Sequence, residues 1–245
     1  MSAGATDGGG ERIGGLALVT ASARDALARR LADDVAAALA RGLDGRGRGA
    51  LVVSGGTTPA PMFAALAARE DIDWSSVTVT LADERWVPPS DAASNERLVR
   101  ETLLVGAAAA ARFVPLYVDL RRPTEEALAR VDAALEAMPR PFDAVVLGMG
   151  TDGHTASLFP DAPELERGMD DRRLAVAPMH PPSAPQARIS LTRATLVDAR
   201  SLFVHVTGED KRAVLERALA DEPRLAPIAR VLDAAVDRAT IYWSA

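Results

Sequence analysis

Short apolar runs alternating with longer amphipathic stretches predict a doubly wound α/β fold, a mostly parallel sheet with helices on both faces. A second observation agrees with this. The apolar run at 142–147 ends directly in a glycine-rich loop, as a buried strand does where it meets ligand in an open α/β sheet. Hydrophobic residues make up 48% of the 245 residues, enough to fill such a core.

Taken in order, residues 1–15 are rich in Gly and small residues and lack the basic flank and apolar segment of a signal peptide. They read as a disordered tail before a single domain over 16–245. Strands are expected at 16–20, 50–54, 77–83, 112–116, 142–147, 174–177, 187–191, 201–207 and 240–243, where apolar, β-prone residues run together. Helical periodicity and composition occupy 23–41, 59–69, 95–104, 124–138 and 209–220. The Pro-rich stretch 178–185 reads as a surface loop, since strand signals resume directly after it. No internal repeat at a fixed period is visible.

The net charge of −6 argues against a nucleic-acid surface, which normally needs a clustered basic excess. Without cysteine there is no disulfide, thiolate or Cys-ligated metal, which fits a reducing cytoplasm. No apolar stretch approaches the roughly eighteen residues of a membrane span. The expected partner is therefore a small molecule, and the expected assembly a monomer or small homo-oligomer. Lys211 is the only lysine beside many arginines. A codon bias toward Ala, Arg and Gly explains the excess but not why one lysine is kept.

Four segments carry residue types suited to chemistry. Ser54-Gly55-Gly56-Thr57-Thr58-Pro59 follows a strand and precedes a helix, with Pro59 suited to the first helical turn. Paired glycines let backbone N–H groups approach an anion, and the helix N-terminus adds partial positive charge. The plainer alternative is a turn that needs glycine for its dihedrals. The Gly-Lys-Ser/Thr ending of a Walker loop and the spacing of a dinucleotide loop are both missing, so a small phosphate ester is the better fit.

In Leu81-Ala82-Asp83-Glu84-Arg85-Trp86-Val87-Pro88, an apolar strand ends in three consecutive charges. Arg85 can hold a phosphate or carboxylate through its planar fork, with Asp83 orienting a hydroxyl or a neighbouring side chain. The plainer reading is a solvated strand end with a local ion pair. Late in the chain, Arg188 and Lys211 are each unremarkable surface charges on their own. Combined with an anion loop at 54–57 they make a phosphate clamp.

The loop after residue 147 is the most informative. His154 follows Gly150-Thr151-Asp152-Gly153, before an apolar segment that can begin a helix. Backbone donors surround it, and the Asp152 carboxylate stands two residues back. An unperturbed imidazole titrates at about pH 6.5, so His154 can take or give a proton near neutrality. His180, in the Pro-rich stretch, reads as a surface residue, and His205, inside an apolar strand, as a core residue. A metal site has only His154 and Asp152 to draw on, and neither metal nor cofactor is expected.

In order and rough spacing, 54–59, 83–88, 147–160, 188–192 and Gly208-x-x-Lys211 resemble the 6-phosphogluconolactonases, over about residues 16 to 243. The 147–160 segment is highly specific, whereas Gly208-x-x-Lys211 means little alone. The resemblance implies the Rossmann-like fold shared with glucosamine-6-phosphate deaminases and hydrolysis of 6-phospho-D-glucono-1,5-lactone, the second step of the oxidative pentose phosphate pathway. It implies His154 as general base on water and Asp152 and Asp83 as orienting carboxylates. Arg85, or loop amides near Gly150 and Gly153, would serve the oxyanion. Gly55, Gly56, Thr57, Arg188 and Lys211 would bind the substrate. The deaminases share the Gly-Gly loop and an Asp-Gly-His segment. They typically have Asp-Glu-Tyr where this chain has Asp83-Glu84-Arg85, and Asn-Glu-Pro where it continues Thr155 to Pro160, so both details favour the lactonase. A non-catalytic sugar-phosphate sensor is a third reading, with no room in the short N-terminal tail for a DNA-binding helix pair. Asp161 departs from the pattern, standing where glycine is common.

Overall fold

The computed structural model describes residues 11–170, 174–221 and 225–245. Its main sheet has eight strands: β1 (Arg12–Ile13), β2 (Leu16–Thr20), β3 (Gly49–Val53), β4 (Val77–Leu81), β6 (Arg112–Val114), β7 (Ala144–Leu147), β10 (Leu202–Thr207) and β11 (Ala239–Ser244). They lie in the order β1-β2-β11-β10-β7-β3-β4-β6, and every pairing is parallel except β1 with β2. From β3 the chain winds outward through β4 to β6, and from β7 it winds the other way through β10 to β11. The winding therefore reverses between β3 and β7. Both strands are buried at every residue, so both faces of the sheet are covered there, which explains their unbroken apolar sequence.

A second, antiparallel sheet contains β5 (Asp83–Arg85), β9 (Arg188–Leu191) and β8 (Val176–Met179), in the order β5-β9-β8. The run 77–83 was expected as one strand and is two. Ala82 divides it, its N–H donating to the Val53 carbonyl of the main sheet and its carbonyl accepting from the Leu191 N–H of the small one. The strands expected at 174–177 and 187–191 are not in the parallel sheet: β8 and β9 pair antiparallel with each other, and β9 pairs with β5. Pro178 lies within β8 rather than in a loop, and β8 is an edge strand, where a missing ladder donor is tolerated.

Helix α1 (Arg24–Arg46) buries Leu27, Leu31, Val35 and Leu39, one residue per turn, and packs on β3, β7 and β11. Each such fully buried side chain contributes about 1.5–3 kcal/mol. The helix passes the expected end at Arg41 because Gly42 is not its stop. A side chain at Gly42 would overlap the Asp143 carboxylate, which is buried, accepts the Ala50 N–H at 2.8 Å and pairs with Arg46 at 2.6 Å. The stop is Gly47, at φ 67°.

The other helices are α2 (Ala60–Ala67), α3 (Asn95–Thr102), α4 (Glu125–Glu136), α5 (Leu165–Asp170), α6 (Arg193–Leu196), α7 (Glu209–Ala220) and α8 (Pro227–Asp233). Of these, α5, α6 and α8 were not foreseen; at four to seven residues each, they are too short to display a helical period. Of the expected tail, residues 1–10 lie outside the described residues. Arg12 and Ile13 do not belong to a tail, because Gly14 and Gly15, both at positive φ, turn the chain back to pair them with β2. Among the described residues no helix is long and apolar enough to cross a membrane.

Candidate active site

The loops leaving β3 and β7 flank the winding reversal, the position where open α/β sheets take their ligands. A cleft of about 280 Å³ opens there. Its walls include Gly55, Gly56 and Thr57 after β3, Gly150 and His154 after β7, Asp83 and Arg85 of β5, Arg188 of β9 and Lys211 of α7. Segments more than a hundred residues apart in sequence thus converge, and of the expected site residues only Asp152 stands behind the wall, against His154.

The β7 loop is built around its histidine. His154 Nδ1 lies 2.6 Å from Asp152 Oδ1, which also accepts the His154 backbone N–H at 3.1 Å. With Nδ1 on a carboxylate, a neutral imidazole carries its proton there and keeps its lone pair on Nε2. Burial pushes the Asp152 carboxyl upward, but the hydrogen bond and charge of His154 outweigh it and hold the group below the usual range. The His154 ring stacks on Phe159 with centroids 4.0 Å apart. Gly150 has to be glycine, since a side chain there would overlap both the imidazole and Asp152 Oδ1. The dyad is thereby fixed from three sides.

No helix follows His154, contrary to expectation. Ala156 adopts φ 49°, a left-handed conformation that ends helical winding, and the hydroxyls of Thr155 and Ser157 bond to the Gly148 carbonyl and to Asp83 Oδ2. Asp161 accepts from the backbone N–H and the hydroxyl of Ser183, at 2.9 and 3.1 Å, tying the Pro-rich loop to the histidine loop.

The structure separates the two carboxylates that the sequence left equivalent. Asp152 meets His154, while Asp83, 5% exposed, holds the Ser157 hydroxyl and lies 3.8 Å from Arg188. Arg188 and Arg85 are a cross-strand pair of β9 and β5. The guanidinium of Arg85 is anchored on the Ala93 carbonyl, and that of Arg188 lies 5.1 Å from the centre of Phe159. The Nε of each is buried without a protein partner among the described residues. Burial lowers the Arg188 pKa, as does the neighbouring Arg85, against the attraction of Asp83. Two guanidinium groups side by side with one carboxylate leave net positive charge facing the cleft, suited to an anion or a developing oxyanion.

Glu84, between Asp83 and Arg85, has a different task. It is fully buried and accepts the backbone N–H groups of Arg85, Asn95 and Glu96 and the Ser94 hydroxyl, at 2.7–3.0 Å, capping α3. Burial pushes its carboxyl up, and those hydrogen bonds work in the opposite direction. The loop amides expected as oxyanion donors are already engaged, the Gly150 N–H with the His154 carbonyl and the Gly153 N–H with that of Gly150. Of the groups that the resemblance implied for that role, Arg85 is the one that lines the cleft with its Nε unpartnered among the described residues.

Ser54, within the anion loop expected at 54–57, lines the cleft too, as do Asn95 and His205, which sequence reasoning missed as site residues. Asn95 donates to the Asp83 carbonyl at 2.9 Å and occupies the space a side chain at Gly55 would need, so Gly55 is required for close approach. The one available signal was a histidine inside an apolar strand shortly before Gly208-x-x-Lys211. Among the described residues no group of three His, Asp or Glu side chains is placed to hold a metal ion.

Sheet order and cleft put the chain among the doubly wound α/β proteins that receive their ligand at the winding reversal. Comparison with known proteins makes this specific. Residues 22–243 match the family model of glucosamine-6-phosphate isomerases/6-phosphogluconolactonase. The 6-phosphogluconolactonase of Mesorhizobium japonicum is 49% identical over 90% of this chain and 92% of its own length. That of Pseudomonas aeruginosa is 46% identical over 88% and 90%. The crystal structure of a 6-phosphogluconolactonase from Shewanella baltica superposes with a TM-score of 0.88 at 39% identity, covering 93% of this chain and 97% of that one. The chain belongs to the glucosamine-6-phosphate isomerase/6-phosphogluconolactonase family.

Proposed function

We propose that this protein hydrolyses 6-phospho-D-glucono-1,5-lactone to 6-phospho-D-gluconate, the second step of the oxidative pentose phosphate pathway, with His154 as general base. The observation that carries the mechanism is the 2.6 Å contact between His154 Nδ1 and Asp152 at the wall of a cleft lined by Arg85, Arg188 and Lys211. Nε2 takes a proton from water as the water oxygen attacks the C1 carbonyl. The negative charge that develops on the carbonyl oxygen is met by Arg85, a stabilisation of about 3 kcal/mol per donor in other acyl-transfer sites. The imidazolium then returns the proton to the departing ring oxygen as the C1–O bond breaks, and Asp152 stabilises the cation meanwhile. Asp83 orients Arg188. Gly55, Gly56 and Thr57, with Arg188 and Lys211, hold the 6-phosphate, and this remote binding places the carbonyl against the base.

An activated ester needs only a positioned water and a base, so the step uses no metal or cofactor. We read the chain as one cytoplasmic catalytic domain with a small-molecule substrate. Hydrolysis of the lactone, followed against its spontaneous background with ammonia release from glucosamine 6-phosphate as control, tests the assignment. Acceleration of the first without the second is expected, and the reverse would move the chain to the deaminase branch.

A further inference from the structure

His205 lies within β10 on the same side of the strand as Phe203, by the alternation of strand side chains. Phe203 packs edge-on to Tyr242 in the interior, with ring centroids 5.7 Å apart. One pleat nearer the strand's C-terminal end, an apolar residue would continue that packing. The chain has a histidine there, 4% exposed, and neither ring nitrogen meets a protein hydrogen-bond partner among the described residues. Burying such a group unpaired destabilises a fold, so packing does not account for it.

The ring lines the cleft together with Lys211 and with Ser54, whose buried hydroxyl is likewise unpartnered. Burial first, and then the charge of Lys211, depress the His205 pKa to about 4, so the imidazole is neutral at physiological pH. A neutral imidazole carries one N–H donor, and an ammonium carries only donors. A group that satisfies both must be rich in acceptors and negative. A phosphate oxygen meets these conditions, whereas a cation or an apolar group does not.

We propose that His205 is a substrate-binding residue of the cleft, its ring N–H donating to an oxygen of the anionic group that Lys211 also holds. This rests on the reading of Lys211 as a phosphate ligand. Within that reading it adds a directional, uncharged donor, approaching from the sheet, beside the cation of Lys211 and the Ser54 hydroxyl.

Full-length His205→Leu and Lys211→Met variants test it, through KM and kcat for the lactone, the Kd for 6-phosphogluconate and the thermal midpoint. For His205→Leu, KM and Kd should rise about tenfold and kcat should change much less, while the midpoint stays level or rises because an unpaired polar ring has been removed. A raised KM in Lys211→Met with unchanged KM and Kd in His205→Leu overturns the role of His205 alone. Unchanged values in both remove the anion pocket and His205 with it. A drop in midpoint with KM unchanged makes the residue structural. If the leucine variant does not fold, NMR of the wild-type ring decides. The His205 ring resonances should shift on titration with 6-phosphogluconate or inorganic phosphate, and no shift at saturation contradicts the proposal.

Discussion

Two histidines line one cleft in different surroundings. His154 has a carboxylate on Nδ1 and 28% of its side chain exposed, and is the base of the proposed mechanism; His205 has no carboxylate and is kept neutral by burial. Replacing His154 by Ala should lower kcat by about two or more orders of magnitude, as for loss of a general base, with 6-phosphogluconate binding largely retained in calorimetry. Asp152→Asn keeps the shape but removes the charge that holds the tautomer. A fall in kcat of about tenfold to a hundredfold is expected, measured at saturating lactone. His205 also leaves a trace in acid stability. Its folded pKa of about 4 lies below the unfolded value of 6.5, so between these values the unfolded chain binds the extra proton. Stability therefore falls as pH drops through that window, by up to about 1.4 kcal/mol per unit from this group. Denaturant melts at pH 6.5 and pH 4.5 should show a smaller acid loss in His205→Leu than in the wild type, and equal losses would contradict the buried neutral state.

Elements were legible in the sequence where their burial was uniform. β3 and β7 show as unbroken apolar runs because both faces are covered, and α1 shows because its apolar residues recur each turn. The break in 77–83 was not legible. The run passes from β4 into its charged end without a Gly or Pro, and what separates the two strands is the carbonyl of Ala82 turning to Leu191, a partner far along the chain. The helix end expected at Arg41 fell short for a related reason, since the missing side chain of Gly42 makes room for Asp143 across the core and does not end the helix. Gly42→Ala should therefore destabilise by more than a helix propensity argument allows, about 1–3 kcal/mol by overpacking in urea melts, although alanine is the better helix former. Glu84 is a comparable case. The Asp-Glu-Arg triplet signalled a site, but only the folded chain shows that its middle residue caps α3. Glu84→Gln is expected to lower stability by about 1–3 kcal/mol, and any loss of activity should follow the loss of fold.

At the scale of the whole molecule, the topology assembles the cleft. Winding that reverses between β3 and β7 brings a glycine-rich turn and a base-bearing loop side by side, and the small antiparallel sheet folds over them with Asp83, Arg85 and Arg188. The sequence showed the contributors because each stands at a strand end with a functional side chain. It did not show their pairing, since Asp83 to Ser157 and Arg85 to Arg188 are contacts between distant segments, and the two aspartates look alike along the chain. Nor could it show that the Gly150 and Gly153 amides are consumed within the loop. The most direct measurement of the central claim is the rate of 6-phosphogluconolactone hydrolysis above the spontaneous background, for the wild type and His154→Ala side by side. The structure calls for a wild-type acceleration that falls by about two or more orders of magnitude in the variant. A variant as fast as the wild type, or a wild type no faster than water alone, would contradict it.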